Sequence, residues 1–392
     1  MITLNIDIPQ ICLSGSPIVV SGTSTCVAVQ NSTLHRAVLH AECKNGSTKV
    51  YEDDLVCNLD SSMTAAPFIF NLSDIAQAAY RRATTYGLDT NGLPAITRTT
   101  LTMTFSIKEA YLLDGSTTTP SSGAYTHQAP FIILPGAWTD EEREYHADRY
   151  DMTEYLNSAR LMSRKPSRGD VALAEHPVYI PLCGAYVEAT EEEDEDTGET
   201  TTTDAYIGDA HISASYTGQT TALTSGDVTF GSVRIVPPLP YKTYTLFVGN
   251  EADAAGTLYA VPAQRDRREL VFVNGFGLLE SAVCVSNETL ERSVKVTSLL
   301  ARMATRFGLD RSGINLSRMG NKAYGLSSGA VTKEWAEWWL TEVCCSPHAW
   351  MYDREKDRWL SGVIVPSEKN TIYDRSKADA PAISFSFVCD EK

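Results

Sequence analysis

At 392 residues the chain is longer than one hydrophobic core usually serves, so two or more domains are expected. Its 49 acidic and 33 basic residues leave a net charge of -16, which argues for solubility and against a phosphate backbone or an anionic membrane as partner. No apolar run approaches the roughly 18 residues of a membrane helix, so nucleic acid and membrane are both set aside.

Met1 to Gln10 alternates Ile2, Leu4, Ile6 and Ile8 with polar residues and reads as a first strand rather than a signal peptide. Pro17 to Ser21 and His35 to Glu42 are further strand-like runs. Thr97 to Ile107 gives the clearest period of two, with Leu101, Met103, Phe105 and Ile107 on one face and Thr100, Thr102, Thr104 and Ser106 on the other. Ser73 to Tyr86 predicts a helix: Ser73 can cap it, Asp74 suits the positive pole of its dipole, and Gly87 offers a left-handed stop. A Ser/Thr/Pro-rich loop from Gly115 to Gly123 leads to the apolar run Phe131 to Leu134, and Pro135-Gly136 marks a first domain boundary. Thr139 to His146 predicts a short capped helix, and Ser163 to Asp170 a basic connector broken by Pro and Gly.

Strands resume near Val178. The runs from Ala185 to Tyr216 bracket Glu191 to Asp204, whose six consecutive acidic residues cannot pack and predict an exposed, mobile loop. Thr243 to Val248, Leu258 to Val261 and Glu269 to Val273 are strands, and Asn274-Gly275 is a turn. Leu299, Leu300, Met303, Ala304 and Phe307 follow helical spacing before Gly308, although Ser293 to Thr297 just upstream alternates as a strand would. Val331 to Val343 predicts a second helix with Trp335, Trp338, Trp339 and Val343 along one stripe, the ordinary way a helix covers a sheet. A hairpin, Ala349 to Val365 around Arg354 to Asp357, and a last strand, Ala382 to Val388, close the chain. Ala83 to Leu93 and Ala304 to Ile314 share the pattern A-T-x-[YF]-G-L-D-x-x-G-[LI], open to duplication or to shared helix-capping chemistry. The fold class expected is mainly β (α+β), with two or more β-sandwich-like domains, each with a covering helix. Residues 1–136 form the first, 137–170 a helical connector, and 171–392 a C-terminal β-rich domain divisible at 171–262 and 263–392.

Candidate chemistry is sparse. Nine cysteines (Cys12, Cys26, Cys43, Cys57, Cys183, Cys284, Cys344, Cys345 and Cys389) include no C-x-x-C pair and read as buried thiols in a reducing compartment. The five N-x-S/T sequons are read as chance. Seven histidines never fall at ligand spacing, and His35 and His40 would point to opposite faces of one strand. Gly275-Phe276-Gly277 follows a strand as a dinucleotide loop should, but Glu280 stands where the third Gly belongs and would face a pyrophosphate. Arg168-Gly169-Asp170 matches an adhesion tripeptide, and its Asp is explained equally by a turn before a strand. The Glu191 to Asp196 block lacks the alternate spacing of a calcium loop. No catalytic, cofactor-binding or metal-ligating residue is assigned, and no enzymatic activity is expected.

Three pieces resemble one family: Arg268 to Gly277 (RELVFVNGFG); Lys322 to Gly329 (KAYGLSSG) followed by the Trp helix and Cys345-Ser346-Pro347-His348-Ala349-Trp350-Met351-Tyr352; and Val363 to Val365 with Ala382 to Phe387. Gly15 to Val20 and Phe68 to Ile75 extend the likeness toward the amino end. Together they are similar to virion tail or baseplate structural proteins of phages infecting gut Bacteroides-type bacteria. The resemblance implies a non-enzymatic component of a ring, baseplate or tail tip, a homo-oligomer bound to other virion tail proteins and assembled in bacterial cytoplasm. The Glu191 loop and the stretch before Gly308 stand as insertions relative to that family, and no family site maps onto named residues. Two other classes stay open. One is a carbohydrate-binding or adhesin β-sandwich that contacts a host surface glycan, which would need aromatics such as Trp138, Trp350 or Trp359 exposed on a concave face. The other is a hydrolase with two carboxyls about 5 to 10 Å apart in a cleft.

Overall fold

The computed structural model describes residues 2–389 except 6–7, 9, 25–31, 61–62, 64, 114–115, 119–123, 140, 143–159, 167–168, 185–190, 194–199, 203–214, 224–225, 247–255, 265, 306–307, 369 and 371–379. The chain is mainly β: two helices and one π-helical turn interrupt its strands among the described residues. No described helix is long and apolar enough to cross a membrane.

The amino-terminal part runs β1 (Ile2–Asn5), β2 (Ile11–Leu13), β3 (Val19–Ser24), β4 (Ser32–Asn45), β5 (Thr48–Asn58), β6 (Ala66–Asn71), α1 (Ser73–Ala83), β7 (Thr85–Leu88), β8 (Pro94–Thr97), β9 (Leu101–Leu113), β10 (Ser116–Thr118) and β11 (Ala124–Leu134). One sheet is ordered β1-β3-β6, a second β2-β11-β9-β4-β5, and β7 pairs β8. The period-two residues Leu101, Met103, Phe105 and Ile107 are all buried, as the alternation requires, and they share a core with Leu39 and Ala41 of β4 and Val20, Phe68 and Phe70 of the facing sheet. Ile75, Ala76, Ala79 and Tyr80 of α1 complete that core, with the Tyr80 hydroxyl donating to the Ile133 carbonyl.

Both ends of α1 differ from expectation. Leu72 occupies the cap position, and the Asn71 side chain, not Ser73, accepts the exposed N–H of Ser73 at 3.1 Å while also accepting that of Ile18 at 3.1 Å. At the other end the chain turns extended at Thr84 and enters β7, so Gly87 lies within a strand and supplies no left-handed stop. The reversal comes later, where the Asp89 carboxylate accepts from Asn91 and Leu93 N–H and Gly92 takes φ 75°.

The middle of the chain holds β12 (Arg160–Leu161), β13 (Asp170–Leu173), β14 (Val178–Gly184), β15 (Glu191–Glu193), β16 (Thr200–Thr202), β17 (Ser215–Leu223), β18 (Gly226–Ile235), β19 (Lys242–Leu246) and β20 (Gly256–Val261). They form sheets β12-β14-β18-β17 and β13-β20-β19, with Val178, Val233, Ile235, Tyr244 and Leu258 packed between them. The acidic run, expected as a loop, begins as β15 in a two-stranded ladder with the Thr-rich β16. The capped turn at Thr139 is present as a reciprocal pair: Glu142 N–H donates to Thr139 Oγ1 at 3.1 Å and Thr139 N–H to Glu142 Oε2 at 2.7 Å. The rest of the helix expected to His146 lies outside the described residues.

The last part comprises β21 (Arg267–Val273), β22 (Leu279–Thr305), β23 (Gly308–Ser327), α2 (Lys333–Trp338) continued by a π-helical turn (Trp339–Val343), β24 (Ala349–Asp353), β25 (Arg358–Pro366) and β26 (Ser384–Cys389). These strands close on themselves in the order β21-β22-β23-β26-β25-β24, a barrel where a sandwich was expected. Closure follows from β24 pairing back on β21, which leaves the barrel without a sheet edge. The expected Trp stripe fills it: Trp338 and Trp339 are buried, Trp339 stacks on Phe385 at 5.4 Å and Phe272 meets Trp338 edge-on at 5.7 Å. Thr332 caps α2 through Trp335 N–H.

A second difference concerns Leu299 to Ala304. These residues lie in β22, paired across a ladder that runs to Thr305 opposite Gly308, so no helix precedes Gly308 among the described residues, outside which Phe307 lies. The strand begun at Ser293 to Thr297 continues through them, with a register shift between Thr297 and Ser298. The two A-T-x-[YF]-G-L-D segments therefore adopt different structures, one leaving a helix and one at the end of a hairpin.

Candidate functional site

A set of mutually hydrogen-bonded charged groups lies where the parts of the chain meet. Ile11, Leu13 and Leu134, then Trp138 and Met162, then Cys183 and Phe230, and finally Phe276 and Leu278 form one buried cluster drawn from every section of the sequence. Against it lies Arg164, from the segment that reads as a loose connector. Its Nε and Nη2 donate to the two oxygens of Glu142 at 2.8 Å each, its Nη1 to Glu342 Oε1 at 2.6 Å, and its Nη2 also to the Ala137 carbonyl at 2.6 Å. The guanidinium covers the Phe276 ring at 4.3 Å. Glu342, in the π-helical turn, uses its other oxygen to accept Gly275 N–H at 2.6 Å. Bidentate, charge-assisted bonds of this kind fix geometry as well as contribute energy. Burial alone would raise the Glu142 carboxyl, but the hydrogen bonds from Arg164 and Thr139 outweigh it and hold it below the usual range. Burial likewise works against the Arg164 cation, and the two carboxylates more than offset it.

Asn274 organises the adjoining turn. Its Oδ1 accepts from Phe276 and Leu278 N–H at 3.1 and 3.0 Å, and its Nδ2 donates to the Met162 carbonyl at 2.8 Å and to Glu280 Oε2 at 2.9 Å. Glu280 thus has a structural employment at the position that breaks a dinucleotide pattern. Burial pushes its carboxyl up to about 7, against the opposing pull of Lys165, Ser163 and Asn274. The consequence has a definite sign. Between the unfolded value of 4.5 and about 7 the folded chain keeps a proton that the unfolded chain has released, so stability falls as pH rises through that window. A shift of this size corresponds to about 3 kcal/mol. Glu280→Gln, neutral throughout, is expected to gain roughly that much relative to the parent between about pH 5 and about pH 8 in urea unfolding, and parallel pH profiles would refute the assignment.

Glu269 is the second buried acid. Burial raises its carboxyl well above the usual range despite the Arg354 cation nearby, and burial lowers His176. His176 Nδ1 approaches Glu269 Oε2 to 3.5 Å, and burial disfavours the charged form of both groups. Neither Glu269 oxygen has a hydrogen-bond partner among the described residues.

Two hollows flank these groups. One of about 330 Å³ is lined by Tyr80, Arg98, Gly136, Asn274, Glu342 and Cys345. The other, about 950 Å³, runs along the Trp helix past Trp335, Trp338 and Trp339 to Val285 and Pro381. In the first, Glu342 is already engaged by Arg164 and Gly275, which takes its carboxylate out of use as a base.

The other residues singled out by the sequence fall into packing roles. Trp138, Trp350 and Trp359 are buried, so a sugar-stacking face built on them is excluded. Asp170 of the Arg-Gly-Asp tripeptide is bound by Lys165 Nζ at 2.9 Å and Gly169 packs against Trp335, while Arg168 lies outside the described residues. Cys43, Cys284 and Cys344 are buried thiols, each pushed up to about 12 by burial, and Cys344 forms no bridge to the exposed Cys345. His40 contacts Asp54 and Glu52, and His348 bonds Ser361 and stacks on Tyr86. Among the described residues no group of three His, Cys, Asp or Glu could hold a metal ion. Neither the models of known protein families nor the curated proteins contain a match to this chain.

Proposed function

We propose that the chain is a non-enzymatic structural component of a phage tail, in a ring, baseplate or tip, assembling through protein–protein interfaces. The observation that carries this reading is the hairpin of β22 and β23. β21 pairs β22 only as far as Val285, and β26 pairs β23 only from Lys322 onward. Beyond those points the ladder continues from Ser293 opposite Asn321 to Thr305 opposite Gly308, with no third strand among the described residues. These thirteen residue pairs, at about 3.3 Å per residue, make an arm of roughly 43 Å. A two-stranded ribbon is marginal in water by itself, and its open edges are templates for another chain. Natural proteins blunt such edges or use them, and an arm this long is explained by use.

On this reading the paired amino-terminal sheets covered by α1 form a sandwich-like domain, and the Trp-plugged barrel is the rigid base of the arm. The joint at Arg164 holds them in one geometry, which a repeated assembly requires. The tail location rests on the family resemblance. Antibody labelling of purified virions by electron microscopy is expected to decorate the tail at regular sites. Virions lacking the protein, together with a chain that stays monomeric with every cognate virion protein, would refute the proposal.

A further inference from the structure

Exposed apolar side chains gather where β18 hands over to β19. The link between them, Val236 to Tyr241 (VPPLPY), leaves Leu239 55% and Tyr241 67% exposed, with Val236 exposed as well. It is a rigid knob. Pro237, Pro238 and Pro240 each fix φ, Glu175 N–H donates to the Pro237 carbonyl at 2.8 Å, and the Tyr244 hydroxyl both accepts from Leu239 N–H and donates to the Leu239 carbonyl, at 3.1 Å each. Tyr241 holds φ 61°, a region that tyrosine rarely occupies, while its N–H donates to the Ala260 carbonyl at 2.7 Å. A strained, pinned backbone that keeps large apolar side chains in water points to a surface made for contact.

The sheet beside the knob leads to a hollow. Val171 of β13, Tyr259 of β20 and Thr243 of β19 are successive register partners, so their side chains share one face of the sheet β13-β20-β19. Tyr259 is exposed on that face. Val171, on the strand farthest from the knob, lines the groove of about 950 Å³ along α2, whose walls include Val283, Val285, Val331, Trp335 and Pro381. Of the two charged residues that line the groove, Asp170 and Arg267, the first is bound by Lys165 at 2.9 Å.

Resting on the assembly reading, we infer that the 236–241 knob of one copy seats in the Trp335 groove of a second copy, and the second copy's knob in the first copy's groove, about a twofold axis through the Val171–Tyr259 face. Three observations favour a second copy as the occupant. Proline-rich segments with preset φ are what aromatic-lined grooves recognise, and this chain supplies both halves. Knob and groove stand at opposite margins of one sheet face, as the self-complementary patch of an isologous pair requires. Copies of a chain with net charge -16 repel one another, so they meet best across uncharged side chains such as Val171, Tyr259 and Thr243.

The test uses the full chain and two variant forms. The knob form carries Leu239→Asp and Tyr241→Asn, the latter a residue that suits positive φ. The groove form carries Ala330→Glu, at an exposed position of the groove lining. Analytical ultracentrifugation of the parent is expected to show a dimer that is as strong or stronger at about 0.5 M NaCl than at about 0.05 M, because screening relieves repulsion between copies. Each form alone should dimerise at least about tenfold more weakly with an unchanged melting temperature. An equimolar mixture of the two should dimerise better than either, because one intact knob then meets one intact groove. A dimer indifferent to both variants, or one that weakens tenfold at the higher salt, would overturn the inference while leaving the assembly role intact. A monomeric parent whose knob binds a cognate virion protein would overturn it in favour of a different partner chain, and one that instead binds a glycan array through Tyr241 would overturn it in favour of a sugar-binding face. A parent that is monomeric at both salt concentrations and joins no virion protein would overturn both.

Discussion

Replacing Arg164 by alanine is expected to cost about 3–5 kcal/mol of stability, because the change strands charges that are taken out of water only in its company. The Glu342 side chain is 4% exposed and that of Arg164 only 17%. Without the guanidinium, Glu342 keeps one hydrogen bond, from Gly275 N–H, and Glu142 keeps those from Thr139. The Phe276 ring also loses the cation that covers it. Removing the whole set tells a different story. In Arg164→Met with Glu142→Gln and Glu342→Gln no charge is buried, and most of the loss should return, since such sets contribute little net stability over neutral groups of similar volume. Denaturant unfolding of the two variants decides the matter: a single-variant loss below about 1 kcal/mol would mean that the cluster is solvated in solution. The pH profile should change as well. The depressed Glu142 carboxyl contributes stability above its unfolded value of 4.5 that is lost as pH falls, the reverse of Glu280, and Arg164→Ala should remove most of that acid limb.

What the sequence could and could not convey follows from the range of the interactions. Period-two burial of Leu101, Met103, Phe105 and Ile107 is a property of adjacent residues, and so is the helical stripe of Trp335, Trp338, Trp339 and Val343. Both were legible. The Thr139–Glu142 cap and the Asn274 turn were legible for the same reason, as their partners lie within a few residues. Arg164 was not: its segment reads as a basic connector, and the carboxylate it binds in the barrel belongs to Glu342, 178 positions away. Nothing local distinguishes a guanidinium that will be buried from one that stays in water. Leu299 to Ala304 illustrate the opposite error, in which a short apolar run satisfies helical spacing while its neighbours satisfy a strand, and the hairpin ladder with 308–314 decides between them. Barrel closure by β24 on β21 is likewise invisible, because alternation reports that a strand has a buried face and not which strand lies beside it.

Gly136→Ala should be nearly as damaging as the loss of Arg164, at about 3 kcal/mol or more, and for reasons that the sequence pattern disguises. Pro135-Gly136 reads as a turn where one domain ends, which by itself asks of the glycine only backbone freedom. Here the residue holds φ 103°, outside the range that side chains favour. A Cβ on it would stand 2.5 Å from the Cα of Phe276 and 2.8 Å from its carbonyl carbon. Both are backbone atoms of a turn already fixed by Asn274, so neither can swing aside as a flexible side chain could. Relief would require moving the turn, and with it the Ala137 N–H to Gly275 O bond, the Trp138–Phe276 contact at 5.7 Å and the platform under Arg164. Gly46 is the matched control: it also has positive φ, at 56°, but nothing lies within 4 Å of its Cβ position. Gly46→Ala should therefore show only the backbone strain, roughly 1–2 kcal/mol. The difference between the two variants in urea unfolding isolates the steric term at the joint, and equal losses would show that the turn at Phe276 yields freely to the amino-terminal sheet.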